Sequence, residues 1–274
     1  MNDDLRGTST ERSRRRAKHG APKRQPRVTV SGVIGELLLT AGVLMMCFMG
    51  WKFWLNDIIV GNEQNEQGGQ LSQQLAEQSK TAAPAEVDES GIPIRKAPKE
   101  EATPFAVLYV PAWGADYSRT IATGITRYGV LDYYIGYYPE SDPVGAVGTF
   151  AVAGHRLAYG ASMQKIPDLQ LGDKAYVETV DGWYVYQFRS GEYVGPDEVS
   201  VLADVPRYPQ EKGGDRILLL MTCNPFHSTE ERVVAYNTFV DFVPRSEGPP
   251  DEIKGAVDAR NNNDGGDTGG GAEH

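Results

Sequence analysis

Three residues of this chain have the chemistry to cut and rejoin an amide bond, and each stands at the end of an apolar run. Residues 216–236 read R-I-L-L-L-M-T-C-N-P-F-H-S-T-E-E-R-V-V-A-Y, with Cys223 closing one run and Arg232 opening the next. Of the four histidines, His19 lies in a basic arm and His274 ends the chain, which leaves His155 and His227. His155 follows F-A-V-A-G, so its imidazole is expected to emerge where an apolar strand turns sharply. A thiolate attacks a carbonyl far better than a thiol does, and a neighbouring imidazolium or guanidinium favours the charged form. A histidine can return the proton to a departing amine and remove one from an incoming amine. An arginine offers fixed donors to the carbonyl oxygen and to the oxyanion that develops from it. No carboxylate is required for this chemistry if His155 starts protonated.

Each residue alone has a plainer reading: a packing cysteine, a turn histidine, an arginine paired on the surface with the glutamates before it. His227 is a second candidate base, but it sits in the polar loop after Cys223 and reads as a rim residue. Asp173 and Asp181 read as turn formers rather than acids.

The elements that must hold these groups are short strands. The run 217–221 is too short for a helix and too apolar for an exposed strand, so it is expected to be buried on both faces, with Asn224-Pro225 breaking the pattern after Thr222 and Cys223. Further β-like runs occur at 105–110, 130–137, 149–153, 175–179, 183–189 and 233–243. Turn signals separate them, among them Asp181-Gly182, a strong hairpin signal. The spacing predicts an all-β domain over 104–244, a closed barrel or a sandwich. The loop 224–231 would form one wall of a groove.

Charge and composition divide the rest. The formal net charge of −10 separates into +6 over residues 1–30 and −16 over the remainder. An acidic body argues against nucleic acid as a partner. With two cysteines and no C-x-x-C or paired His/Cys spacing, neither a disulfide framework nor a metal is expected. Residues 1–30 hold R-S-R-R-R-A-K-H and P-K-R-Q-P-R, and are expected to be a disordered cytoplasmic arm.

The apolar stretch 33–55, within an anchor segment spanning 31–60, is long enough to cross a bilayer once. Basic residues before it predict an inside N-terminus, Trp51 and Trp54 suit the outer interface, and Lys52 can snorkel there. A cleaved signal peptide is the competing reading, and the lack of a small-x-small site after the run argues against it. Residues 61–103 are rich in Gln, Glu, Ala, Ser and Pro and read as a flexible stalk. Residues 245–274 read as a disordered acidic and Gly-rich tail.

The pattern resembles the sortases, the membrane-anchored cysteine transpeptidases of Gram-positive bacteria. Over 105–244 the resemblance is carried by G-Y-Y-P at 136–139, A-G-H-R at 153–156, L-Q-L-G-D at 169–173, Tyr184 and Tyr186, and M-T-C-N-P followed by E-R-V-V. It implies an eight-stranded barrel with short helices, His155, Cys223 and Arg232 as the catalytic residues, and Thr222 and Asn224 as supports of the substrate groove. It implies no cofactor. The A-G-H-R-x-x-Y-G pattern and the anchor look most like class E of actinobacteria. The partners this implies are surface proteins with a C-terminal Leu-Ala-x-Thr-Gly or Leu-Pro-x-Thr-Gly signal, and an amine of a cell-wall precursor or a pilin lysine. Gly136-Tyr137-Tyr138-Pro139 replaces a more usual Gly-His-Tyr-Pro, Gly148-Thr149 a usual Gly-Asn, and Ala161-Ser162-Met163 a small-Pro-Phe turn. These departures bear on substrate preference more than on reaction type. A peptidase that gives the acyl group to water, or a non-catalytic anchored β-domain that binds partners, are the alternatives.

Overall fold

The computed structural model describes residues 29–261. The expected basic arm, but for its last two residues, and the far end of the expected tail lie outside them. Helix α1 (Val30–Gly50) is followed by a wide turn at Trp51–Leu55 and helix α2 (Asn56–Gln78). Twenty-one residues at 1.5 Å each give α1 about 30 Å, the thickness of a hydrocarbon core. Its mean hydropathy reaches 2.0 over 18 residues and none of it is buried, as a single membrane-crossing helix requires.

After a two-residue pair, β1 (Glu86–Val87) with β2 (Pro93–Ile94), eight strands close a barrel. They are β3 (Pro104–Tyr109), β4 (Ser118–Thr123), β5 (Ile135–Tyr137), β6 (Gly148–Ala153), β7 (Lys174–Glu178), β8 (Gly182–Val194), β9 (Arg216–Asn224) and β10 (Glu231–Pro244). The order around the barrel is β10-β8-β7-β3-β4-β5-β6-β9. Two pairs, β4 with β5 and β6 with β9, are parallel, and the rest are antiparallel.

Alternation along each strand sorts the apolar residues into an inside and an outside. Phe150 and Val152 of β6, Leu218 and Leu220 of β9 and Val233 and Ala235 of β10 fill one cluster, the barrel interior. Their neighbours Ala151, Ala153, Leu219, Met221 and Val234 form a separate outer cluster, capped by Val201 and Leu202 from the turn at Val199–Leu202. On the opposite outer surface, Val107, Tyr109, Tyr176, Trp183 and Val185 are covered by Leu71 and Leu75 of α2 and by Ile253 and Ala256 of helix α3 (Asp251–Asn261).

Two expectations are corrected. Residues 61–103 are not a flexible stalk. Most of their first half belongs to α2, whose Gly61, Gln64, Asn65, Gly68, Gly69 and Ser72 are buried along with its two leucines. The polar composition that suggested a stalk is matched by an equally polar strand. Asn65 accepts the Ser118 amide at 3.0 Å, and its carbonyl accepts the Ser118 hydroxyl at 3.1 Å. Gly68 lies so close that a Cβ there would sit 2.7 Å from the Ser118 carbonyl oxygen. The second half is tied down by Arg95, paired with Asp181 at 2.5–2.7 Å, and by the Tyr184 hydroxyl donating to the Pro93 carbonyl at 2.9 Å.

Strand β4, S-R-T-I-A-T, was not among the expected runs: it carries no apolar alternation although all six residues are buried. Its partner α2 is polar too, so no apolar stripe marks either element. The second correction is that the tail begins with a packed helix, since α3 buries Ile253 and Ala256.

A buried carboxylate joins these parts. Glu178 is fully buried and accepts from the Ser72 hydroxyl of α2 at 3.0 Å, the Tyr109 hydroxyl at 2.6 Å and Arg245 at 2.9 Å. Truncating one partner of a buried pair strands the other's charge. Glu178→Ala is therefore expected to lower the unfolding free energy by about 3–5 kcal/mol, checked by urea unfolding followed by tryptophan fluorescence.

Candidate active site

Strand register brings the reactive groups to one rim of the barrel. In the parallel pair, Ala153 lies opposite Met221, so two residues further along each chain place His155 beside Cys223. In the antiparallel pair, Cys223 is the direct partner of Arg232. All three continue the alternation of the outer cluster (151, 153, 155; 219, 221, 223; 236, 234, 232), so they stand on the outside of the barrel, above a floor of Ala153, Met221 and Val234. His155 and Cys223 line one cleft with Arg156, Leu157, Pro225, His227 and residues 228–230. The structure thus gathers the sequence-expected histidine, cysteine and arginine, and the loop 224–231 forms one wall as expected.

Gly154 explains the sharp turn into the histidine. The chain doubles back so tightly that a Cβ at Gly154 would meet the Ser162 hydroxyl at 2.5 Å and Met163 at 2.7 Å. The Met163 amide then closes on the His155 carbonyl at 2.9 Å.

Thr222 points inward. It is 2% exposed, and its hydroxyl donates to the Gly154 carbonyl at 2.8 Å, bracing the histidine turn against the cysteine strand. Asn224 bridges the two walls: its carbonyl accepts from Arg156 and its amide donates to Glu231 at 2.7 Å. The Arg156 guanidinium lies over the Phe226 ring at 4.6 Å. Arg232 gives its Nη1 donors to the carbonyls of Thr229 and Glu231, both at 2.9 Å. No protein partner among the described residues takes its Nε and Nη2 donors. His227 is exposed, with φ 65°, at the rim.

Two residues escaped the sequence reading. Asp132 reaches the His155 ring, with Nε2 to Oδ1 at 3.1 Å, and its side chain is only 9% exposed. A carboxylate oxygen accepts, so Nε2 carries the proton in this contact and Nδ1 is left to work on other groups. Register explains the meeting: Gly136 of β5 pairs with Ala153 of β6, so the residues just before β5 lie beside those just after β6. The signal was a lone carboxylate inside the apolar run V-L-D-Y-Y-I, where a buried charge needs a partner.

Tyr138 is the other. Burial pushes its phenol up from the ordinary value, the Arg232 guanidinium pulls it back, and Cys223 adds to the rise, so the ring lies within electrostatic reach of both. Its hydroxyl contacts the Met221 sulfur at 3.6 Å.

The sequence profile described as "Sortase domain" matches residues 108–240, which contain the whole rim. Sortase SrtE1 of Streptomyces coelicolor is 32% identical over 250 residues, 88% of this chain. The alignment spans 66%, just under two thirds, of that relative's own length. The SrtA sortase of Actinomyces oris superposes with a TM-score of 0.55 at 33% identity, over 59% of this chain and 92% of that one. Sortase E1 of S. coelicolor, solved with a tripeptide in its active site, gives 0.52 at 35%, over 58% and 99%. The chain belongs to the sortase family. Within it, this sortase resembles class E members, as its A-G-H-R turn and N-terminal apolar helix implied.

The Thr222 brace is open to measurement in this sortase. Thr222→Val removes the donor to a buried carbonyl and is expected to cost roughly 1–2 kcal/mol, with Thr222→Ser recovering most of it, checked by urea unfolding.

Proposed function

We propose that this sortase is a single-pass membrane enzyme whose domain outside the cell transfers surface proteins from a sorting signal to an amine. The observation that carries the reading is the register of β6, β9 and β10, which aligns an imidazole, a thiol and a guanidinium at one rim of the barrel, where the first two line an open cleft. In the proposed reaction the Cys223 sulfur, as thiolate, attacks the carbonyl carbon of the Thr-Gly bond in a Leu-Ala-x-Thr-Gly or Leu-Pro-x-Thr-Gly signal. The carbonyl π electrons move to oxygen, where the uncommitted Nε and Nη2 donors of Arg232 meet the charge. Collapse breaks the C–N bond, and His155 gives its proton to the departing glycine nitrogen. A thioester remains on Cys223. An acceptor amine then attacks it, passes a proton back to His155 and releases the thiolate, leaving a new amide.

Asp132 holds the imidazole by Nε2, so the proton traffic runs through Nδ1. Thr222 and Asn224 keep the walls in place without touching the reacting bond.

The basic residues before α1 support a cytoplasmic N-terminus and a barrel outside, where cargo with C-terminal signals and an amine of a cell-wall precursor or a pilin lysine would be met. That a class E relative was solved with a tripeptide in its active site supports a peptide as the occupant of the cleft.

The test is turnover of both signal peptides by the full chain in detergent micelles, with and without an added amine. Wild type is expected to form the amide product, and Cys223→Ala none. Arg232→Ala is expected to lose about 100- to 1,000-fold, the usual worth of an oxyanion donor. Asp132→Asn is expected to lose roughly tenfold or more in kcat through a misplaced imidazole. Turnover that persists in Cys223→Ala refutes the assignment. Release of free acid alone, even with amine present, converts it to a peptidase.

A further inference from the structure

The backbone just after His155 is unusual. Ala158, Tyr159, Gly160 and Ala161 follow one another at φ 60°, 50°, 79° and 46°. Three of these four are not glycine, and side-chain-bearing residues hold the left-handed region only when their surroundings oblige them. At its base the loop is fixed by the barrel, through the Met163 amide on the His155 carbonyl. At its tip it is fixed by α2. The Gln64 Nε2 donates to the Tyr159 carbonyl at 2.8 Å, and the Asp57 carboxylate accepts the Ala158 amide at 3.1 Å. Between those contacts, Gly61 brings the helix backbone against the Gly160 carbonyl. Positions 57, 61 and 64 fall on one face of a helix, so a single surface of α2 makes all three contacts.

The loop carries Tyr159, whose ring stacks on the His155 imidazole with centroids 5.1 Å apart and planes at 29°. Tyr159 is 37% exposed, and the backbone that carries its ring over the histidine is the one α2 grips. His155 is therefore held on two sides, by Asp132 at Nε2 and by Tyr159 on its face.

We infer that Asp57 and Gln64 of the helix following the membrane segment are positioning residues for His155, acting through the 158–161 loop and the Tyr159 ring. The inference rests on the reading of His155 as the proton-transfer group. It makes the segment between membrane helix and barrel a part of the site. A catalytic group held in its working orientation needs no search before each proton transfer, and loosening it slows the chemical steps while leaving peptide binding in the cleft largely intact.

The experiment uses the full chain in detergent micelles, with Gln64→Ala, Asp57→Ala and their double variant. The expected result for the double variant is a kcat about tenfold lower with the KM for the signal peptide within about twofold of wild type. Tyr159→Ala should reproduce it. Asp57→Asn, which keeps a carbonyl acceptor for the Ala158 amide, and Tyr159→Phe, which keeps the ring, should recover most of the rate.

A second readout needs no turnover. Diethylpyrocarbonate should modify His155 faster in Gln64→Ala and Tyr159→Ala than in wild type, as mass mapping of the labelled peptide would report. Wild-type kcat together with unchanged labelling in the double variant overturns the inference. So does a rate loss in Asp57→Ala that Asp57→Asn does not recover, or one that falls in step with the melting temperature. His155→Ala separates the two levels: full turnover there removes the functional reading itself, whereas an inactive His155→Ala beside an unimpaired double variant removes only the role of α2.

Discussion

The pairing of β9 with a parallel neighbour on one side and an antiparallel neighbour on the other is the constraint from which the site follows. One strand fixes two registers at once. Ala153 against Met221 carries His155 to the level of Cys223, and Cys223 against Arg232 brings the guanidinium to the same level. Because side chains alternate strictly across a sheet, a slip of one residue in either pairing would turn a reactive group into the barrel interior. The interior forbids that slip. Leu218, Leu220, Phe150, Val152, Val233 and Ala235 are buried together, and each would have to exchange places with an outward neighbour. The chemistry is positioned by the packing of residues that take no part in it.

The same logic reaches the two residues that support the histidine. Since β5 is antiparallel to β6, the chain entering β5 passes the chain leaving β6, and Asp132 arrives beside His155 with no dedicated element to carry it. Thr222 points inward for the reason Cys223 points outward, and so reaches the Gly154 carbonyl behind the histidine turn. Asn224, in the last pair of the β9–β10 ladder opposite Glu231, spans from Arg156 to Glu231 across the mouth. Site and scaffold are thus one hydrogen-bonded sheet, which explains how short segments hold a geometry that chemistry requires to fractions of an ångström.

What the sequence made legible were the parts whose chemistry differs from their surroundings. A cysteine after I-L-L-L-M, a histidine after F-A-V-A-G and an arginine before V-V-A-Y each break an apolar run, and a strand period can be read there. The illegible parts were polar against polar. Strand β4 and the buried face of α2 satisfy each other, through Asn65 with Ser118 and Gly68 against the Ser118 carbonyl, so neither shows the apolar stripe by which a packed element announces itself. Composition counts what a segment can bury in the absence of a partner. It is blind to hydrogen bonds that only a fold supplies. Asp132 was hidden for a related reason: its partner lies 23 residues away, across a strand pair whose register is a tertiary fact.

A closed barrel has no edges, but it still has an outer face, and this one is apolar around much of its girth. Each part of that face must be covered or used. Leu71 and Leu75 of α2 with Ile253 and Ala256 of α3 cover the side formed by β3, β7 and β8. Val201 and Leu202 cover part of the side formed by β6, β9 and β10. Above them the cover stops, and there the outward positions change from Ala153, Met221 and Val234 to His155, Cys223 and Arg232. The cleft is the place where the wrapping of the barrel was left incomplete. The helix that wraps the far side reaches around to grip the loop beside this opening at Tyr159, so cover and cleft are shaped by the same element.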